Sequence, residues 1–183
     1  GLGMDVIRDA VAALESVPGR LETIDEGQPF TVVVDYAYEP AALNAVYDAI
    51  ALLKKGRLIH VVGSAGGGRD VARRPVLGEL AACHDDIVIV TNEDPYDEDP
   101  QLIVDAVADG AARAGKKDNV DLFRILDRQE AINKAIALAQ PGDLVLITGK
   151  GSAPVMAVAN GKKIPWDDRS AVRKALHENT YAR

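Results

Sequence analysis

Cysteine, histidine and long apolar runs are all scarce in this chain, and each scarcity excludes something. The single cysteine, Cys83, rules out an internal disulfide; its place in the apolar periodic run Val76–Cys83 predicts a core residue rather than a reactive thiol. His60, His84 and His177 are scattered without metal-ligand spacing, so core or solvated histidines are predicted and no metal site. No apolar run approaches the roughly 20 residues that span a bilayer, and the opening GLGMDVIRDAV lacks the cationic and apolar regions of a signal peptide. A cytoplasmic protein without membrane contact is expected. Positive charge is also in deficit: a net charge of −7 works against binding to a phosphate backbone, and Arg69–Arg74 is the only dense basic cluster. No nucleic-acid partner is predicted.

What is present is an ordinary globular composition, 48% hydrophobic and 27% charged, over 183 residues. That length suits one sizeable core, so a single domain over 1–183 is expected. Apolar strand runs at about Phe30–Asp35, Arg57–Gly63, Asp86–Thr91, Asp121–Ile125 and Leu144–Thr148 alternate with amphipathic stretches near Pro40–Leu53, Arg74–Cys83, Pro100–Ala114 and Arg128–Ala139. Such alternation predicts an α/β fold with a mainly parallel sheet covered on both faces. At the ends, Met4–Leu14 reads as a helix and Leu21–Ile24 as a short strand. Val155–Val158 and Lys162–Ile164 flank Asn160-Gly161, a hairpin signal expected to add an antiparallel strand to the sheet edge. A last helix begins near Asp167, whose carboxylate suits a helix N-terminus.

The chemistry-bearing residues cluster where strands end. Val32-Val-Val34 delivers Asp35, Tyr36 and Tyr38 to a strand's carboxyl end, the edge at which open α/β sheets bind ligands. The next strand runs into Gly63-Ser-Ala-Gly-Gly-Gly68 and then Arg69. Glycines there admit a ligand to the backbone, free amides favour an anion, and a guanidinium beside them suits a carboxylate. A plain strand-to-helix turn is the equal alternative, and the spacing is not GxGxxG. Thr91–Pro100 crowds carboxylates into a loop; Asp97, Glu98 and Asp99 read as solvated, while Glu93 and Asp94 at the strand end would favour an ammonium group. Gly149-Lys-Gly-Ser152 is not a Walker A loop, because Gly151 follows the lysine and Val145 stands where the first glycine is required. Lys150 is read as a point charge near a carboxylate or phosphate, or as an exposed turn lysine.

Taken in order, these segments resemble the C-terminal domain of the Mur ligases, most closely that of the UDP-N-acetylmuramoyl-tripeptide synthetases. Val17-Pro-Gly-Arg20 resembles the family's entry motif and Asp35-Tyr-Ala-Tyr38 its DYAH. Gly66–Asp70 resembles GGDRD, Arg73-Arg-Pro75 resembles KRP, and Glu93–Tyr96 falls at DNPR. Gly149–Ser152 falls at GKGH, and Asp167-Asp-Arg169 looks like the terminal motif. The likeness implies a Rossmann-like three-layer αβα domain with about six strands, one of them antiparallel at an edge. It also implies a place in an enzyme that uses ATP and Mg to turn a UDP-muramoyl-dipeptide carboxylate into an acyl phosphate, which the incoming amino acid attacks. By position, Arg20, Asp35 and Tyr38 would contact the nucleotide, with Asp35 suited to ribose hydroxyls. Arg69, Glu93, Asp94, Tyr96, Gly149, Lys150 and Ala153 would line the amino-acid site, Arg69 holding the α-carboxylate.

Departures from the family pattern bear on specificity. Tyr96 and Ala153 stand where members that add meso-diaminopimelate carry Arg and Glu, so a lysine-like substrate is expected instead. Tyr38 in place of histidine removes a titratable group. The family's UDP-binding and P-loop ATPase domains have no counterpart in the sequence; the domain alone is expected to be a monomer, inactive in ligation, with no catalytic residue of its own and no tightly bound cofactor. The alternatives are a domain of a folylpolyglutamate synthetase-like amide ligase, and a freestanding nucleotide-binding module built on Gly63–Asp70.

Overall fold

The computed structural model describes residues 1–13 and 17–181. Its centre is a six-stranded sheet in the order β1-β2-β6-β3-β4-β5. The strands are β1 (Glu22–Ile24), β2 (Thr31–Val34), β3 (Leu58–Val62), β4 (Ile87–Val90), β5 (Leu122–Arg124) and β6 (Leu144–Ile147). All neighbours are parallel except β1, which runs antiparallel to β2 with Thr23 opposite Val33. The β-branched runs in β2, β3, β4 and β6 are buried on both sides of the sheet. Val32 and Val34 point into one apolar layer with Ile59, Ile89 and Ile147; Val33 points into the other with Val62, Val90 and Leu146.

Helices close both faces. On one lie α2 (Pro40–Ile50), α3 (Arg73–His84) and α4 (Pro100–Arg113); on the other lie α5 (Arg128–Leu138) and α6 (Asp168–Tyr181). Local chemistry sets their starts. Proline opens α2 and α4, Asp99 accepts from the Gln101 amide, and Asp127 caps α5 through the Glu130 amide. Asp167 accepts from the Arg169 and Ser170 amides at the head of α6, as the sequence predicts. Helices α3 and α4 meet through glycine: a Cβ on Gly110 would lie 2.1 Å from the Pro75 carbonyl oxygen. The first helix, α1 (Met4–Ala12), buries none of its residues; the expected end of that helix at Leu14 lies outside the described residues. No helix among the described residues is long and apolar enough to cross a membrane.

Two expectations are corrected. The hairpin does form, with Asn160 and Gly161 both at positive φ, but β7 (Val155–Val158) and β8 (Lys162–Pro165) make a separate two-stranded sheet. Its strand β7 is drawn instead to the acidic loop after β4: the Ala157 amide donates to Asp94 at 2.7 Å and the Tyr96 amide donates to the Ala157 carbonyl at 3.2 Å. The antiparallel edge strand is β1. Cys83 is exposed rather than in the core, because α3 turns Arg74, Leu77, Gly78 and Ala81 inward, leaving position 83 on the solvent side.

Candidate functional site

The carboxyl ends of β2, β3, β4 and β6 carry nearly all the chemistry-bearing residues, and the loops that follow them interlock. Gly19 and Gly151 approach backbone to backbone, a Cβ on Gly19 falling 2.2 Å from the Ser152 nitrogen, so the entry turn lies directly on the loop after β6. The Gly66 amide donates to the Asp94 carbonyl, which joins the loop after β3 to the loop after β4. Gly68 donates weakly to Glu98 at 3.4 Å. The glycine-rich turn therefore spends amides on its neighbours that the sequence reading leaves free for an anion.

Six of the seven residues assigned to the amino-acid site fall into three contacting pairs. Arg69 lies over the Tyr96 ring at 4.6 Å and donates to the Tyr96 hydroxyl at 3.0 Å. Lys150 donates to both oxygens of Asp94 at 2.8 Å, and its side chain is only 3% exposed. Lys150 is thus a point charge on a carboxylate, not an exposed turn lysine, and Asp94 is already neutralised within the protein. Glu93 packs against Gly149, where a Cβ would come within 2.6 Å of its Oε2; that oxygen is buried without a hydrogen-bond partner. Burial pushes the Glu93 carboxyl up to about 7, helped by Asp94 and Asp168 and opposed by Arg128 and Lys150. Ala153 donates its amide to the Lys150 carbonyl and so closes the turn.

The nucleotide candidates form a second group beside the first. Arg20 stacks on Tyr36 at 4.4 Å, Tyr36 meets Tyr38 edge-on at 5.5 Å, and Arg73 lies 5.6 Å from the Tyr38 ring. Arg20 and Tyr38 are exposed. Asp35 is buried, and its two oxygens accept the Leu21 and Ala37 amides at 2.8 and 2.7 Å, holding the entry turn in place. The basic cluster is no surface patch: Arg73 and Arg74 are buried and reach Glu39 and Glu98. Glu98 is held below the usual carboxylate range by the Arg74 hydrogen bond, Asp97 accepts the Asn160 amide, and Asp99 is a helix cap. The three acids read as solvated each have a partner. Among the described residues no cluster of His, Cys, Asp or Glu could hold a metal ion.

Beneath the site runs a buried polar chain that sequence reasoning misses. His60 bonds through Nδ1 to Asp85 at 2.8 Å and through Nε2 to Thr148 at 2.9 Å, while Tyr47 bonds to both His60 and Asp85. The Thr148 carbonyl accepts from Arg128, whose guanidinium is paired twice with Asp168 at 2.8 Å; Trp166 donates to the same carboxylate. Burial works against the charge on Arg128, and Asp168 more than offsets it, leaving the guanidinium more firmly protonated than usual. Apart from Trp166 and Asp168, the partners stand 13 to 88 positions apart in sequence, so no spacing rule links them. The Asp167-Asp-Arg169 motif is the one available signal.

An open α/β sheet covered by helices on both faces is of the doubly wound class, and the carboxyl edge that gathers these groups is where such sheets bind ligands. The family model described as the Mur ligase, glutamate ligase domain matches residues 19–151. A UDP-N-acetylmuramyl-tripeptide synthetase from Roseiflexus sp. (strain RS-1) is 45% identical over 93% of this chain and 34% of its own length. A UDP-N-acetylmuramoyl-L-alanyl-D-glutamate--2,6-diaminopimelate ligase from Geobacillus kaustophilus is 41% identical over 97% of this chain and 35% of its own. The solved structure of a ligase of the same description superposes with a TM-score of 0.79 at 33% identity, covering 98% of this chain and 36% of that one. The chain belongs to the Mur ligase family, as its C-terminal domain. It spans about a third of the length of the curated relatives it matches.

Proposed function

We propose that this domain receives the incoming amino acid of an ATP-dependent ligase of peptidoglycan synthesis, with Arg69 taking the α-carboxylate. The observation that carries this reading is the state of Arg69: it is exposed at the carboxyl edge of the sheet, with two of its five N–H donors spent on Tyr96 and Gly67 and three left for a ligand. In the complete enzyme ATP supplies the phosphoryl group that makes the acceptor carboxylate electrophilic, and Mg neutralises phosphate charge. The residues present suit a nucleotide in part. Arg20 offers an exposed guanidinium and Tyr38 an exposed aromatic face, while Asp35, engaged by two amides, serves by holding the Arg20 turn. The UDP-muramoyl-peptide and most nucleotide contacts would fall to other domains, so the isolated domain is inactive in ligation. Such substrates are cytoplasmic, and so is the enzyme under this reading.

For the substrate, we favour a lysine-like diamino acid over diaminopimelate. Support comes from Tyr96 and Ala153, which present neither a cation for a distal carboxylate nor an acid for its ammonium. Leaving a distal carboxylate buried without a partner costs about 1–3 kcal/mol or more. The two acids at positions 93 and 94 add little: Asp94 is neutralised by Lys150, and Glu93 is shut beneath Gly149. Calorimetric titration with L-lysine, L-ornithine, meso-diaminopimelate and L-glutamate tests the reading. A basic amino acid should bind best and lose its binding in Arg69→Ala. Tighter binding of diaminopimelate would reverse the specificity; indifference to Arg69→Ala would remove the site.

A further inference from the structure

The geometry points to Tyr96 as the residue that positions Arg69 for carboxylate recognition, a role that rests on the amino-acid reading above. The hairpin and the glycine turn together fix residue 96. Its backbone is held in the left-handed region, φ 54°, which is costly for an aromatic residue and persists only where surroundings impose it. The surroundings here are the hairpin, through the Tyr96 amide to the Ala157 carbonyl, and the glycine turn. Gly67 lies against the ring, where any Cβ would come within 2.6 Å of it. The same Cβ would lie 3.0 Å from Arg69 Nη1, so Gly67 and the Arg69 guanidinium meet the ring together, on one side of it.

That three-way contact determines which way Arg69 faces. Arginine loses substantial rotamer freedom when it binds a ligand, and a guanidinium already stacked and hydrogen-bonded has less to lose. The Tyr96 hydroxyl accepts from Nη2 at 3.0 Å and the Gly67 carbonyl from Nη1 at 3.3 Å, so both terminal nitrogens are anchored on the loop side while their other N–H groups and Nε–H point away from those two acceptors. A carboxylate is the planar acceptor that such a fork matches. Toward the α-carboxylate Tyr96 acts through Arg69, whose guanidinium it holds. The strained loop conformation has a use under this assignment, since a relaxed backbone at position 96 would carry the ring off Gly67.

The test separates this role from the reading beneath it by comparing L-lysine with 1,5-diaminopentane, which keeps both amines and lacks the carboxylate. The unmodified chain should bind lysine more tightly, and Arg69→Ala should abolish the difference. Tyr96→Phe keeps the stack and loses one hydrogen bond; it should weaken lysine binding about threefold to tenfold and leave diaminopentane unchanged. Tyr96→Ala should weaken it further. In the Arg69→Ala background Tyr96→Phe should have no effect on either ligand. In the ligand-free chain, 15N signals of the Arg69 guanidinium should show hindered rotation that Tyr96→Phe relieves. Unchanged lysine affinity in Tyr96→Phe, an equal loss in the Arg69→Ala background, or guanidinium rotation indifferent to Tyr96 overturns the positioning role while leaving Arg69 its carboxylate. Equal binding of the two ligands by the unmodified chain overturns both.

Discussion

Glu93→Gln gives a sharp test of the electrostatics at the site. In the folded protein this carboxyl is buried beneath Gly149, has one oxygen without a partner, and is held at about 7 instead of the ordinary 4.5. Between those two values the folded state keeps a proton that the unfolded chain has released. Stability from this group is therefore complete below about pH 4.5, declines as pH rises, and levels off above about pH 7. The groups facing it are Arg128 and Lys150, which favour its charge, and Asp94 and Asp168, which oppose it; burial outweighs the cations. At 1.36 kcal/mol per tenfold change in proton affinity, the decline amounts to roughly 2–3 kcal/mol between pH 5 and pH 8. Glutamine cannot titrate, so any constant offset from the amide is the same at both pH values. Carboxylates held below their usual range elsewhere, such as Asp86, Asp143 and Asp167, cancel in the comparison. Urea unfolding of both proteins at pH 5 and pH 8 should show Glu93→Gln gaining roughly 2–3 kcal/mol on the parent as pH rises. A difference that stays flat would mean that Glu93 is paired or solvated, and the reasoning would fail.

Other perturbations follow from the same contacts. Asp168→Ala leaves the Arg128 guanidinium buried without its charge partner and should cost about 3–5 kcal/mol in chemical denaturation, a loss on the surface-pair scale of under 1 kcal/mol contradicting the burial. Gly110→Ala drives a methyl into the Pro75 carbonyl and should destabilise by about 1–3 kcal/mol as α3 and α4 separate; a neutral effect would show that the helices slide freely. Asp94→Ala removes the acceptor of the Ala157 amide and the partner of Lys150 together, so amide exchange at Ala157 should accelerate while exchange in β3 and β6 stays slow. Equal acceleration throughout would indicate global loss of stability instead.

The layers of this fold are legible in the sequence because its four central strands are apolar runs of four or five residues rich in valine and isoleucine, and its helices carry apolar positions at helical spacing. Val32–Val34 and Ile87–Val90 have few ways to be buried other than in a parallel sheet with both faces covered. The hairpin at Asn160-Gly161 is legible too, but its docking partner is not: turn chemistry fixes a local shape, and the hydrogen bond from Ala157 to Asp94 spans 63 positions. Cys83 misleads because a run of apolar and small residues on a short helix hides which face turns inward. At the site, residue types and their strand-end positions are readable, while their pairings are not. Nothing local to Asp94 says that Lys150 will neutralise it, and nothing local to Arg128 announces Asp168 forty positions later. Ion pairs depend on which loops tertiary packing brings together, so charge in a motif is a poor guide to charge available for a ligand.

The most direct test of the account is where an amino acid lands. L-lysine titrated into the uniformly 15N-labelled chain should shift the amides of Gly63–Asp70, Glu93–Tyr96 and Gly149–Ala153, with Arg69→Ala erasing the shifts. The concavity of about 260 Å³ at the opposite edge, lined by Glu26, Gln28, Phe30 and His177, should stay unchanged. Shifts confined to that edge, or a carboxyl-edge response that survives Arg69→Ala, would contradict the assignment of these loops as the amino-acid site.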